Sequence, residues 1–279
     1  MRKSKKDNKV PILLILGVLL CLVCFILYNV LFDDDVDEVG EVGEVDEVDD
    51  VGEVDDVPWD KAFYINVKGE TIRNMYMKKE FRKQKINVTR FNAIDKNDID
   101  DNYIQKLINE NKLTPDNKIK KKNREGVLAC LLSHHTLWEK IYNEERGDMY
   151  LIFEDDCYLD SNFKEECKKY IKHLPADWDM AWLGYNRFLG PDDNNIFNKP
   201  IIKNPAQRGT NAEHHCYLIN RKSVPKFKDI MFPYSGSPSK DGILRKNFDK
   251  FNAYFLFKKL AHQDKVTFKD STRTSRVLR

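Results

Sequence analysis

The sequence is poor in the residues that staple small folds together. Of its six cysteines, Cys21 and Cys24 lie in an apolar run, which leaves Cys130, Cys157, Cys167 and Cys216 for the rest of a 279-residue chain. Four cysteines over that length do not make a disulfide scaffold, and they lack paired metal-ligand spacing. Free core cysteines are expected, with a Cys157–Cys167 disulfide as the alternative in an oxidising compartment. Zinc-finger spacing, an RNA-binding signature and a basic zipper are also absent, so no motif supports a nucleic-acid partner.

Charge is missing in two places. No charged residue occurs from 10 to 32. That run has the length of about 20 apolar residues needed to cross a hydrocarbon core. It lacks a small-residue cleavage site, which favours an uncleaved anchor over a signal peptide. No base occurs from 33 to 57, where nine Asp and five Glu accumulate, while Arg2, Lys3, Lys5, Lys6 and Lys9 precede the apolar run. Bases before a span and acids after it keep the N-terminus cytoplasmic. The expectation is a single-pass type II membrane protein: a tail at 1–9, a transmembrane signal-anchor at 10–32, a stalk at 33–57 and a folded domain at 58–279. That domain would lie in the ER or Golgi lumen or its equivalent. Within the stalk valine recurs at every third position from 36 to 57. That period matches neither helix nor strand. Fourteen like charges repel one another, so an extended stalk is expected, with calcium binding as the sharper alternative.

Residues 58–279 hold 42 bases against 30 acids. A basic balance suits an anionic small substrate, an acidic membrane surface or nucleic acid. Short apolar runs at 62–66, 149–153, 180–184, 216–220 and 253–257, with a β-branched run at 87–94, read as strands. Helical patterns fall at 70–84, 98–111, 126–145, 162–173, 222–230 and 240–248. Strands alternating with helices imply one α/β domain with a mostly parallel central sheet covered on both faces. Residues 187–208 read as a long Gly/Pro/Asn-rich loop.

The segment Met149-Tyr-Leu-Ile-Phe-Glu154-Asp155-Asp156-Cys157 runs a buried strand into three carboxylates. Ligands in open α/β sheets bind at the carboxyl ends of strands. A hard divalent ion takes one or two carboxylates and completes its shell with phosphate oxygens and water. An acidic turn capping the next helix is the alternative.

These blocks resemble glycosyltransferase family 25, which includes lipopolysaccharide and procollagen galactosyltransferases. The likeness begins at Tyr64-Ile65-Asn66 with Arg73 seven residues on. It continues through Arg90-Phe91-Asn92-Ala93-Ile94-Asp95. It is strongest over Gly126-Val-Leu-Ala-Cys130-Leu-Leu-Ser133-His134, Leu151-Ile-Phe-Glu154-Asp155-Asp156 and Asp177-Trp178-Asp179-Met-Ala-Trp-Leu183-Gly184. Fainter echoes are Cys216-Tyr217-Leu218-Ile219 and Asp241. The chain departs from the family where Val127 replaces an expected Glu, and where Lys68 and Gly69 follow the first strand.

The resemblance implies a GT-A-like nucleotide-sugar-binding fold. It also implies an inverting transfer of galactose or glucose from a UDP-sugar to a glycan or hydroxylysine hydroxyl. Glu154, Asp155 and Asp156 would hold Mn²⁺ or Mg²⁺, with His262 as a late ligand. Asn66 and Arg73 would contact base or diphosphate, unless they are a helix start with a surface Arg. Asp95 would bond the ribose, unless it is an ordinary turn residue. Asp241 would be the catalytic base, unless it only stabilises a helix start. Ser133, His134, Trp178 and Trp182 read as core residues, and His214 and His215 as strand residues. The sole glycosylation sequon, Asn87-Val-Thr89, falls in an expected strand. A catalytically inactive adhesion or scaffold protein on the same fold is the alternative function.

Overall fold

Runs too short for helices and apolar on both sides become strands, because the central strands of the sheet are covered on both faces. The computed structural model describes residues 56–185, 201–203 and 214–268, together with the backbone of a two-residue strand β1 (Val45–Asp46). In β2 (Lys61–Val67), Phe63 and Ile65 enter one core while Ala62 and Tyr64 enter another. In β4 (Met149–Glu154), Tyr150 and Ile152 join the first core, Leu151 and Phe153 the second. Successive strand side chains point to opposite faces, so a continuous apolar run signals a sheet buried on both.

The first core is covered by α2 (Asp101–Asn109), α3 (Glu125–Glu144), α5 (Val224–Met231) and α6 (Lys240–Lys246). The second is covered by α1 (Thr71–Gln84) and α4 (Phe163–Ile171), through Met77, Phe81, Phe163 and Cys167. The fully buried Trp138 of α3 packs on Phe227 of α5 with ring centroids 5.4 Å apart.

The sheet adds β3 (Thr89–Ala93), β6 (Met180–Gly184), β7 (Ile201–Lys203), β8 (Cys216–Asn220) and β9 (Ala253–Leu256), in the order β1-β3-β2-β4-β8-β6-β9-β7. Strands β3, β2, β4, β6 and β9 share one direction, and β1, β8 and β7 oppose it. This mixed α/β architecture with a mostly parallel sheet fits a GT-A-like fold. The reversal of β8 in the middle of the sheet departs from simple α/β alternation. A parallel neighbour needs a crossover, usually helical, and residues 187–208 carry no helical pattern.

Four short strands, β1 and β7 among them, have no counterpart in the sequence reading. β7 forms within the expected 187–208 loop because Ile201–Lys203 pair with β9. β5 (Cys157–Leu159) and β10 (Ala261–Gln263) pair antiparallel, with His262 opposite Tyr158 and Gln263 opposite Cys157. Val45 and Asp46, inside the expected stalk, pair with Phe91 and Arg90 of β3. Cys130, Cys157, Cys167 and Cys216 are all free, so the Cys157–Cys167 alternative does not hold. Among the described residues no helix is long and apolar enough to cross a membrane. The expected tail, the span at 10–32, most of the stalk and most of the 187–208 loop lie outside the described residues.

Candidate functional site

Three parallel strands deliver polar groups to one end of the sheet: β2 carries Asn66 one residue before its end, β3 leads to Asp95, and β4 ends at Glu154 and leads to Asp155 and Asp156. A cavity of about 340 Å³ opens there. Arg73, Asp95, Glu154, Asp155, Asp156 and Asp241 all line it. Its size and its mixture of polar and apolar walls suit a small-molecule ligand.

Asp155 is the most enclosed of the three carboxylates. Its Oδ2 accepts from Asn66 Nδ2 at 2.8 Å and its Oδ1 from Arg73 Nη1 at 2.8 Å. Asn66 is oriented in turn by Arg90 Nε, which donates to its Oδ1 at 3.1 Å. Burial pushes the Asp155 carboxyl up to about 6, against the opposing pull of Arg73 and Asn66. Asn66 and Arg73 thus fix an acid of the site. Arg73 also carries the Phe268 ring 4.6 Å from its guanidinium carbon.

Asp156 faces the cavity. Its Oδ2 accepts from Gln263 Nε2 at 2.9 Å and lies 3.7 Å from Arg73 Nη1. Its backbone carbonyl accepts from Asp264 N at 2.7 Å. The β5–β10 pairing presents Gln263 to the site and turns its neighbour His262 away. His262 Nε2 instead meets Asp160 Oδ1 at 3.0 Å, and its ring stacks on Tyr158 at 5.0 Å. Gln263, an amide, therefore meets Asp156, where the sequence suggested the imidazole of His262.

Glu154 belongs to a different group. Lys240 Nζ, at the start of α6 and only 1% exposed, donates to Glu154 Oε1 at 3.1 Å and to His134 Nε2 at 2.7 Å. His134 Nε2 also lies 3.1 Å from Glu154 Oε1, and its Nδ1 faces the Tyr217 hydroxyl at 2.7 Å. That hydroxyl also accepts from Trp138 Nε1 at 2.8 Å. His134 is thus a core residue, as the sequence suggested, and a wall of the cavity as well.

Asp241 lies in the first turn of α6, its Oδ1 3.7 Å from Lys240 Nζ and 3.3 Å from His214 Nδ1. Asp95 caps the 3-10 turn Lys96–Asp98, its Oδ1 accepting from Asn97 N at 2.8 Å, while still lining the cavity. Ser133 Oγ accepts from Ile94 N at 2.9 Å and donates to Ala129 O at 2.7 Å, tying α3 to the end of β3.

A divalent ion needs one or two carboxylates with room for phosphate and water beside them. Asp156 fits: it borders the open cavity. Asp155 has both oxygens engaged by Asn66 and Arg73. Among the described residues one group of three possible ligands clusters, Cys130, His134 and Glu154, whose ligand atoms lie within 4.8 Å of one another. Lys240 was not foreseen, although a cation at a helix start opposes the helix dipole and so was a signal. Gln263 left no signal, because only strand register selects it over His262.

Residues 59–233 match the family described as Glycosyltransferase family 25 (LPS biosynthesis protein). Three relatives illustrate the range. A protein of Acanthamoeba polyphaga mimivirus named "putative glycosyltransferase" is 32% identical over 132 residues, covering 44% of this chain and 37% of its own. Procollagen galactosyltransferase 2 of Homo sapiens is 25% identical over 139 residues, covering 48% and 22%. The inactive glycosyltransferase 25 family member 3 of Homo sapiens is 32% identical over 62 residues, covering 21% and 10%. The chain therefore spans well under half the length of each. With its acids gathered at the ends of parallel strands and its family match running from β2 into the loop after α5, the chain belongs to glycosyltransferase family 25.

Proposed function

We propose that the protein moves a hexose, galactose or glucose, from a UDP-sugar to a hydroxyl of a glycan or hydroxylysine acceptor, with inversion, on a GT-A-like fold. One observation carries the reading: Asp156, after β4, and Asp241, on α6, line the same cavity. A displacement at an anomeric carbon needs help at both ends, where the diphosphate leaves and where the hydroxyl attacks.

Asp156 is the residue that would hold the divalent cation, Mn²⁺ or Mg²⁺. When bound there, that ion supplies positive charge for the departing diphosphate. Arg73, 3.7 Å from Asp156, adds fixed positive charge at the same end. Asp155 keeps Arg73 and Asn66 in place. Asp95 borders the cavity where a ribose hydroxyl would be bonded. Asp241 takes the proton of the acceptor hydroxyl as its oxygen bonds to the anomeric carbon, and the bond to the diphosphate breaks with its electron pair. Asp241 suits that role because it comes from α6, a different element from the turn that carries Asp156.

A non-catalytic scaffold on the same fold is the second reading. It is favoured by the inactive human relative and by a pairing within the site. Asp155 is matched by Arg73 and Glu154 by Lys240, so mutual repulsion of the three acids does not by itself demand a metal. Screening UDP-hexoses for hydrolysis and transfer by the purified full chain, with and without manganese, separates the two. No turnover of any donor would favour the scaffold. The type II placement follows from the charge flanking residues 10–32. A protease that digests residues 58–279 from the cytosolic side of intact microsomes would contradict it.

A further inference from the structure

Lys240 is the most enclosed cation of the site, and stability does not explain it. An ammonium taken out of water costs several kcal/mol even after relaxation, and an apolar residue of similar size commonly does as well or better. Its surroundings are nonetheless built for a positive charge. His134 Nε2 lies at 2.7 Å, Glu154 Oε1 at 3.1 Å, Asp241 Oδ1 at 3.7 Å, and the Tyr217 ring centroid at 6.0 Å. Cys130 and His134, one turn apart on α3, and Glu154, at the end of β4, hold their ligand atoms within 4.8 Å of one another. Thiolate, imidazole and carboxylate together form a donor set that suits zinc and similar ions. The ammonium bonds two of those three groups.

We propose that Lys240 is a positioning residue that seats its ammonium in the Cys130–His134–Glu154 group in place of a metal ion. This inference rests on the glycosyltransferase reading for its consequence and on geometry alone for its core. Seating the cation joins the start of α6 to the end of β4. It aims the Glu154 carboxylate and sets Asp241, the next residue, at the cavity wall. It also divides the acids: Glu154 answers to an internal ammonium, and Asp156 alone is left for the donor's cation. A resident side chain cannot be lost or exchanged, so the acceptor side of the cavity keeps its shape whichever ion the diphosphate brings.

The test uses Co²⁺ as a probe on the purified full-length chain, read by the thiolate-to-cobalt charge-transfer absorption. Wild type should show no such band. Lys240→Ala, which vacates the seat, should show it, and Cys130→Ser in that background should abolish it. Lys240→Gln, which is one atom shorter and drops the charge, serves if the alanine variant does not fold. A wild-type band that Cys130→Ser removes, or no band in a folded Lys240 variant, overturns the proposal. In transfer assays Lys240→Ala should lose ~10²-fold in kcat, the scale of one strong electrostatic contact, with donor KM unchanged. Ethylammonium should restore part of that loss, which a purely structural role would not allow. Wild type without transfer would sink the glycosyltransferase reading and leave the cobalt result standing.

Discussion

Arg73 donates to Asp155 across 82 residues of sequence, from α1 to the turn after β4, at 2.8 Å and with both side chains almost fully buried. Asn66 closes the other oxygen of the same carboxylate. The acid is held so that Asp156, one residue further, borders the cavity. Breaking a buried pair by removing one partner is strongly destabilising, because a charge is left without compensation.

Arg73→Met should therefore lower stability by about 3–5 kcal/mol. Combining it with Asp155→Leu should recover most of the loss. Urea unfolding of the two single variants and the double variant measures the coupling. Simple additivity would show that the pair does not act as a unit.

Stability should depend on pH through two buried groups of opposite sign. Asp155 has its folded pKa raised by burial from 3.8 to about 6. Its contribution is present below 3.8 and is lost as pH rises through 6. Burial lowers His215 from 6.5 to about 4, so its contribution is present above 6.5 and is lost as pH falls through 4. Each is worth on the order of 3 kcal/mol. Asp155→Asn removes the falling contribution, so its Tm should climb more steeply from pH 4 to 6 than that of wild type. Parallel Tm profiles would show that Asp155 does not titrate in this window.

Asp156→Asn keeps shape and removes charge. Transfer should fall by at least ~10²-fold, while the fold is kept. Near-wild-type turnover in limiting manganese would remove Asp156 from the proposed metal role.

Asp241→Asn separates a base from a helix-start residue. Loss of a general base costs ~10²–10⁴ in rate, whereas loss of a favourable helix-end charge costs about 0.3–1 kcal/mol. Unchanged donor affinity with collapsed transfer is expected. Normal transfer with a lowered Tm would return Asp241 to the helix.

Gly184 ends β6 where the pairing with β8 shifts register. A Cβ there would stand 2.4 Å from His215 Nε2 and 2.9 Å from the Ala261 carbonyl. His215 Nε2 donates to that carbonyl at 3.1 Å, anchoring β10 and with it Gln263. Gly184→Ala should cost about 1–3 kcal/mol through overpacking. Thermal unfolding measures it, and an unchanged Tm would mean that β10 yields without cost.

The sequence by itself determined most of the framework. Runs such as Tyr150–Phe153 are apolar at every position and too short for a helix, which suits a sheet covered on both faces. The 3.6 period of residues 126–145 likewise left little choice but a buried helix. The acids after β4 marked the ligand end of the sheet, because strand ends are where a chain can carry charge beside a buried core. Partner choice was decided by the tertiary structure alone. Lys240 reaches Glu154 across 86 residues, and no local pattern records a contact of that span. His262 and Gln263 are adjacent, and a one-residue difference in strand register decides which of them faces Asp156. Periodicity is a local property of the chain, while the pairing of buried charges depends on which elements the fold brings together.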